Sequence, residues 1–168
     1  LLKPLIVMGH LLGGLTTLGL LVWLLLETRR SGKALQPARR HIPWLAVSGL
    51  VILGMQIALG GWTSSNYAAL ACPDIPTCQG QWWPEDSNFA EGFVLWRGLG
   101  INYEFGVLDA PSRVAIHFAH RLGALATFTV LLLIGLHYRA RSQAAALRWA
   151  ATLVLGAVTL QVLIGAGV

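Results

Sequence analysis

The stretch at 111–141, PSRVAIHFAHRLGALATFTVLLLIGLHYRAR, decides how the rest of the chain is read. Between His120 and His137 the residues are almost all apolar, and Arg121 is the one charge among them. That is the pattern of a membrane helix carrying a buried functional group. His117 and His120 are three residues apart and therefore neighbours on one helical surface. Gly123 and Ala124 follow, small enough for a flat or bulky group to approach the helix. The competing reading is a helix end with two interfacial histidines and no ligand.

Working outward, the composition sets the class. Of 168 residues, 55% are hydrophobic and 11% charged, where a soluble domain carries about 25% charged residues. The chain reads as an all-α integral membrane protein. Four apolar segments, at about 4–26, 42–62, 112–137 and 147–168, each have roughly the 20 residues needed to cross a bilayer core. Nothing alternates like barrel strands, so the spans are helices in a bundle. The formal charge of +5 does not point to nucleic acid, because the basic residues sit in short links between apolar runs. The chain opens in an apolar segment without a signal-peptide pattern and reads as part of something longer.

Loop charge predicts orientation. The first link holds Arg29, Arg30, Lys33, Arg39 and Arg40 against Glu27, and the last holds Arg139, Arg141 and Arg148 with no acid. The long middle loop, 63–111, holds Asp74, Glu85, Asp86, Glu91, Glu104 and Asp109 against Arg97. The positive-inside rule puts both basic links in the cytoplasm and the long loop outside. The chain then divides into two spans at 1–62, an extracytoplasmic loop at 63–111 and two further spans at 112–168.

Several residues in these segments carry candidate chemistry. His10, followed by Gly13 and Gly14, lies one or two turns inside the first span, where a histidine is paired, faces a cavity or binds a metal; hydrogen bonding to a neighbouring helix is the plainer alternative. Gln56 with Gly60 reads as interhelical packing. His41 is a solvated loop residue and His137 an interfacial one. Cys72 and Cys78 bracket CPDIPTC, a turn stiffened by Pro73 and Pro76. In an oxidising compartment they form a local disulfide that shapes the loop, or else a reducible redox pair. Trp62, Trp82, Trp83 and Trp96 suit an aromatic belt at the membrane surface. The run 89–99 is predicted as a short interfacial helix. Arg97 and Arg113 are outer-surface cations suited to carboxylates of a bound ligand or to lipid phosphate.

An internal repeat links these features. His10-Leu11-Leu12-Gly13 and His120-Arg121-Leu122-Gly123 share H-x-L-G, and Gln56 to Gly60 and Gln161 to Gly165 share Q-x-x-x-G. Matching order and direction argue for a parallel duplication with one histidine per unit near the outer face. A zinc site would want further His, Cys or acidic ligands within the spans, which offer none. A haem needs an axial histidine, small flanking residues and room between helices, and is the better fit.

At this point the chain resembles the haem A synthases of aerobic bacteria and mitochondria. The resemblance is carried by LKPLIVMGHLLGGLTTLGLL (2–21), LGGWTSSNYAALACPDIPTCQGQWWP (59–84), LWRGLGINYEFGVLDAPSRVAIHFAHRLGAL (95–125) and LQVLIGAG (160–167). It implies a duplicated eight-helix (4+4) protein of which this chain is about the fourth to seventh helices. It implies oxidation of a methyl group of haem O to the formyl group of haem A, through successive hydroxylations, for haem–copper terminal oxidases. By this resemblance His10 and His120 are axial iron ligands, His120 of a haem b and His10 on the side of the substrate haem, with partner histidines elsewhere. The family's acid would also lie outside this chain; its repeat-equivalent here is His117, so no catalytic residue is assigned. The paired cysteines match Cys72 and Cys78, and Arg97 and Arg113 are candidate contacts of haem propionates. Alone, this stretch is expected to be inactive.

The resemblance further implies the bacterial inner (plasma) membrane, haem O as substrate, a haem O synthase and a membrane electron donor as partners, and oligomers as an option. The rival readings are a di-haem b-type membrane cytochrome acting only in electron transfer, and a transporter whose histidines handle protons. Pairing of His10 with His120 on one haem is an alternative that would require both halves to abandon the family arrangement.

Overall fold

A computed structural model describes residues 3–30, 43–98 and 100–166. The first link, with Lys33, Arg39, Arg40 and His41, lies outside the described residues, as do Leu99 and the ends of the second and fourth apolar segments at Ile42 and Val168. Four long helices carry the chain: α1 (Pro4–Arg30), α2 (Trp44–Ser65), α4 (Ala110–Arg141) and α5 (Ala145–Ala166). A single turn, α3 (Phe89–Gly92), sits in the loop. The four long helices are apolar and long enough to cross a membrane. Among the described residues there is no strand, only an isolated antiparallel bridge between Cys78 and Gln81.

The observed boundaries follow local chemistry. Pro43 stands at the N-cap of α2 in an extended conformation, where its missing N–H costs nothing. At the start of α4, the Asp109 carboxylate accepts the Ser112 N–H at 3.0 Å, and Pro111 occupies the first turn. That cap begins the helix before the apolar run does. With 32 residues, α4 is about 48 Å long at 1.5 Å per residue, well beyond a hydrocarbon core of about 30 Å. Its first three turns therefore rise into the loop region.

The helices are antiparallel neighbours in sequence order: α1 packs on α2, α2 on α4, and α4 on α5. Small residues set the close approaches. A Cβ at Gly49 would sit 3.2 Å from Leu131 and Ile134, one at Gly61 3.1 Å from Leu11, and one at Gly135 2.7 Å from Leu155. Because the helices alternate in direction, the C-terminal end of α1 and the α4–α5 turn with Arg139, Arg141 and Arg148 lie at one end of the bundle. The long loop lies at the other.

Two buried clusters sit at that loop end, while Leu131 and Ala151 are buried between the spans. Trp62, Ala68, Leu108 and Ile116 form one cluster, against which Leu5, Met8 and Phe93 pack. Cys72, Cys78, Val114 and Phe118 form a second, flanked by Ala71 and Phe89.

Two loop expectations are corrected. Trp62 is not a belt residue: it is 4% exposed and donates its indole N–H to the Gly92 carbonyl at 2.9 Å, so the loop folds over it. Trp82, Trp83 and Trp96 do remain exposed. The predicted helix over 89–99 is the one turn of α3 followed by irregular chain. The Asn88 side chain caps it, and it stops at Gly92, whose backbone lies so close to α4 that an added Cβ would meet the Ser112 carbonyl oxygen at 2.9 Å.

Candidate functional site

His120 lies on α4 where it faces α2, half-buried. Its ring rests on Gly60: a Cβ there would be 3.2 Å from the ring Cε1. The ring Nδ1 is 3.0 Å from Gln56 Nε2, and the same amide nitrogen donates to the His120 carbonyl oxygen at 3.1 Å. Gln56 Oε1 is buried with no partner among the described residues, lying over Gly123, where a Cβ would collide with it. Gln56 and Gly60, which read in sequence as packing, are thus the immediate surroundings of His120. The repeat alone hinted at this, since Q-x-x-x-G recurs at matched positions.

One turn earlier on α4, His117 faces the loop instead. Its Nδ1 accepts the Cys72 backbone N–H at 3.3 Å. Cys72 and Cys78 are joined in a disulfide (S–S 2.01 Å), with both residues buried against Val114 and Phe118. Of the two readings of this pair, burial favours a structural bridge, because thiol–disulfide exchange needs access to a sulfur.

Arg121 holds this loop down. Its Nη1 donates to the carbonyl oxygens of Asp74 at 2.6 Å and Thr77 at 2.8 Å, and its Nη2 to that of Cys72 at 2.6 Å. Three charge-assisted bonds to carbonyls satisfy much of a guanidinium that would otherwise be costly at this depth. In the sequence Arg121 stands out as a lone charge in an apolar span, but its partners in the loop do not. Inside the loop, the Asp74 carboxylate accepts the Thr77 hydroxyl and the N–H groups of Gln79 (2.6 Å) and Gly80 (3.0 Å). These bonds, the Thr77 hydroxyl foremost, hold the Asp74 carboxyl below its ordinary 3.8.

The remaining candidates are dispersed. His10 is exposed on α1, beside Gly9, Gly13 and Gly14, whose missing side chains open onto free space. Since α1 and α4 do not pack on each other and α2 serves both, His10 and His120 are not brought together. Arg97 is paired with the Glu91 carboxylate and also donates to the Glu91 carbonyl at 2.6 Å. Arg113 lies in the first turn of α4, near enough to Asp109 to help keep that carboxyl low, though hydrogen bonding to Ser112 is the larger cause. His137 is exposed, edge-on to Tyr138 at 5.6 Å. A cavity of about 380 Å³ lined by Arg139, Ala145, Arg148, Trp149 and Thr152 opens at the far end of α4 and contains no histidine.

The donor chemistry discriminates among ligands. Among the described residues no three His, Cys, Asp or Glu side chains converge for a metal ion. A tetrahedral zinc site therefore lacks ligands here. A haem asks one helix for one imidazole and for room beside it. His120 is the candidate imidazole, with an Nε2 that makes no hydrogen bond among the described residues.

Fold and site together define a multi-span helical membrane protein with a histidine at a helix interface beneath a disulfide-closed loop. The match to known proteins is more particular. A family model described as cytochrome oxidase assembly protein covers residues 1–167, and the chain belongs to that family. Curated relatives called heme A synthase include one from Shewanella oneidensis, 43% identical over 165 residues, which cover 98% of this chain and 49% of the relative. One from Roseobacter denitrificans is 29% identical over 93% of this chain and 38% of its own length. One from Rhizorhabdus wittichii is 28% identical over 90% of this chain and 40% of its own. The chain spans less than half the length of these relatives. No solved structure matches it.

Proposed function

We propose that this chain is part of a membrane haem A synthase, an oxidoreductase that converts a methyl group of haem O to the formyl group of haem A for terminal oxidase assembly. The observation that carries the reading is the constructed setting of His120, found in a chain 43% identical to a protein called heme A synthase. In the same reading the whole protein is a duplicated eight-helix bundle in a bacterial inner membrane. Its basic end, with Arg139, Arg141 and Arg148, faces the cytoplasm. Haem O is the substrate, and a haem O synthase and a membrane electron donor are its partners.

His120 would hold a haem b, and His10 would hold the haem on the substrate side. When bound, haem b would supply one-electron chemistry. The protein's residues do the positioning: α2 lends Gly60 so that the Cε1 edge of the ring can approach the helix, and the long apolar spans keep water from the reacting region. Arg121, His117 and the disulfide hold the loop on α4 immediately above the ligand. Arg113, whose guanidinium makes no hydrogen bond among the described residues, is the better placed of the two arginines for a propionate, because Arg97 is engaged by Glu91.

The test is haem content and turnover of the complete protein. His120→Ala is expected to lose haem b from the pyridine haemochrome spectrum and to stop formation of the formyl product, read by mass from added haem O. Full haem retention in this variant removes His120 as a ligand. Haem binding without any change in the mass of haem O moves the reading to an electron-transfer cytochrome.

A further inference from the structure

At the end of the bundle opposite the long loop, α4 and α5 border a cavity of about 380 Å³ lined by Arg139, Ala145, Arg148, Trp149 and Thr152. Small-molecule sites run from about 300 to 1,000 Å³, so it has room for a ligand group. Its two arginines are tied to one turn. Thr152 Oγ1 accepts from Arg139 Nη1 at 2.7 Å and donates to the Arg148 carbonyl oxygen at 3.0 Å. Arg148 Nη1 reaches the Ser142 carbonyl oxygen at only 3.5 Å. The other N–H groups of both guanidiniums, and the Trp149 indole N–H, make no hydrogen bond among the described residues.

Two cations at one cavity repel each other unless an anion lies between them. The chain supplies none there. No Asp or Glu follows Asp109 in the sequence, and Glu27, the one acid at this end, is on α1, which packs on α2 and not on α4 or α5.

The surroundings select the kind of anion. The cavity lies at the ends of two membrane spans, and Trp149 is an exposed indole at that boundary, where such rings sit at head-group level. Deeper along the same face of α5, at spacings of four and seven residues, Leu153, Leu160 and Ile164 are exposed. Between them Gly156 leaves a notch, with nothing within 4 Å of an added Cβ. A charged head in the cavity and an acyl chain along this stripe use both features, whereas a free phosphate uses only the first.

We propose that this cavity binds an anionic phospholipid, its phosphate held between the guanidiniums of Arg139 and Arg148 and an acyl chain laid along Trp149, Leu153 and Leu160. Guanidinium matches phosphate oxygens through paired N–H bonds, and basic pockets between spans suit anionic head groups.

The test uses the complete protein, purified in a non-ionic detergent and titrated with phosphatidylglycerol, phosphatidylcholine or inorganic phosphate, with bound lipid counted by native mass spectrometry. Phosphatidylcholine carries the same phosphate beside a cation, and the wild type is expected to hold it about tenfold more weakly than phosphatidylglycerol. Inorganic phosphate at the same concentration is expected not to displace the lipid. Arg139→Gln and Arg148→Gln are each expected to weaken phosphatidylglycerol by about tenfold, through loss of charge-assisted bonds. Arg141→Gln removes an equal charge outside the cavity and is expected to cost at most about fivefold, the general attraction of a basic residue to an anionic surface. Equal losses in Arg141→Gln and Arg148→Gln overturn the proposal in favour of diffuse charge. Equal binding of the two lipids overturns it in favour of apolar contact, and displacement by inorganic phosphate in favour of a free-phosphate site. Arg148→Gln decides the matter even where Arg139→Gln, which also loses its bond to Thr152, does not fold.

Discussion

Between the cap at 62–121 and the flanking helices α1 and α5, similar apolar residues are put to opposite use. In the cap, Trp62, Ala68, Val114 and Ile116 are nearly inaccessible, and the polar groups around them are bonded to one another across long sequence separations. Along α1 and α5 many apolar side chains point outward, Leu24 and Leu163 both above 60% exposed. Apolar surfaces of this kind suit a hydrocarbon setting by composition. The cap borders water, where a fold must hide apolar area and satisfy its backbone, and this needs specific contacts. The position of His120 depends on the cap and α2 side of that contrast, whereas His10 lies on the open side.

Mutations can break the comparison if the cap is less specific than this. Arg121→Ala is expected to cost the most, about 3 kcal/mol or more, since hydrogen bonds to charged groups are each worth about 1.5–3 kcal/mol and three are lost. Thermal unfolding of the complete protein in detergent, with limited proteolysis at 71–81, reads this directly. Arg148→Ala at the other end, with one 3.5 Å bond, is expected to stay within about 0.5 kcal/mol. Equal losses in the two variants would erase the distinction between the ends.

Replacing both cysteines with serine is expected to destabilise the cap by about 2 kcal/mol, the closure entropy of a seven-residue loop. In the native protein the buried bridge should resist a mild reductant, and thiol labelling should appear only after denaturant is added. Labelling of the folded protein at low reductant concentration would instead return the redox reading.

Glycine substitutions sharpen the contrast at a smaller scale. Gly123→Ala forces a methyl into Gln56 and Leu59 and is expected to cost about 1–3 kcal/mol. Gly13→Ala on α1 meets nothing within 4 Å and should be neutral or slightly stabilising through helix propensity. Comparable losses at both glycines would mean that α1 is as closely packed as α4.

The smallest effect belongs to Asp74. Its carboxyl is held low in the folded loop, so its contribution is present above the ordinary value near 3.8 and fades as pH falls through the lowered folded value. Asp74→Asn should therefore differ slightly from wild type at neutral pH and match it in strong acid. A difference in loop proteolysis that grows on acidification contradicts that sign.

The class of the protein and its spans were determined by the sequence alone, because transfer of apolar side chains into hydrocarbon is nearly additive and depends on length and composition. His120 also stood out there, since a histidine beside a lone arginine in an apolar run is expensive and so conspicuous. Only the tertiary structure decided what surrounds it. Gln56 is 64 residues away along the chain and Cys72 is 49 residues from Arg121, and no local propensity couples such positions. The burial of Trp62, against the belt expected of it, has the same origin: an indole at a membrane surface and one under a loop have the same local sequence. The loop closes over it at Gly92, whose lack of a side chain lets the chain lie close to α4 while its carbonyl accepts the Trp62 indole N–H.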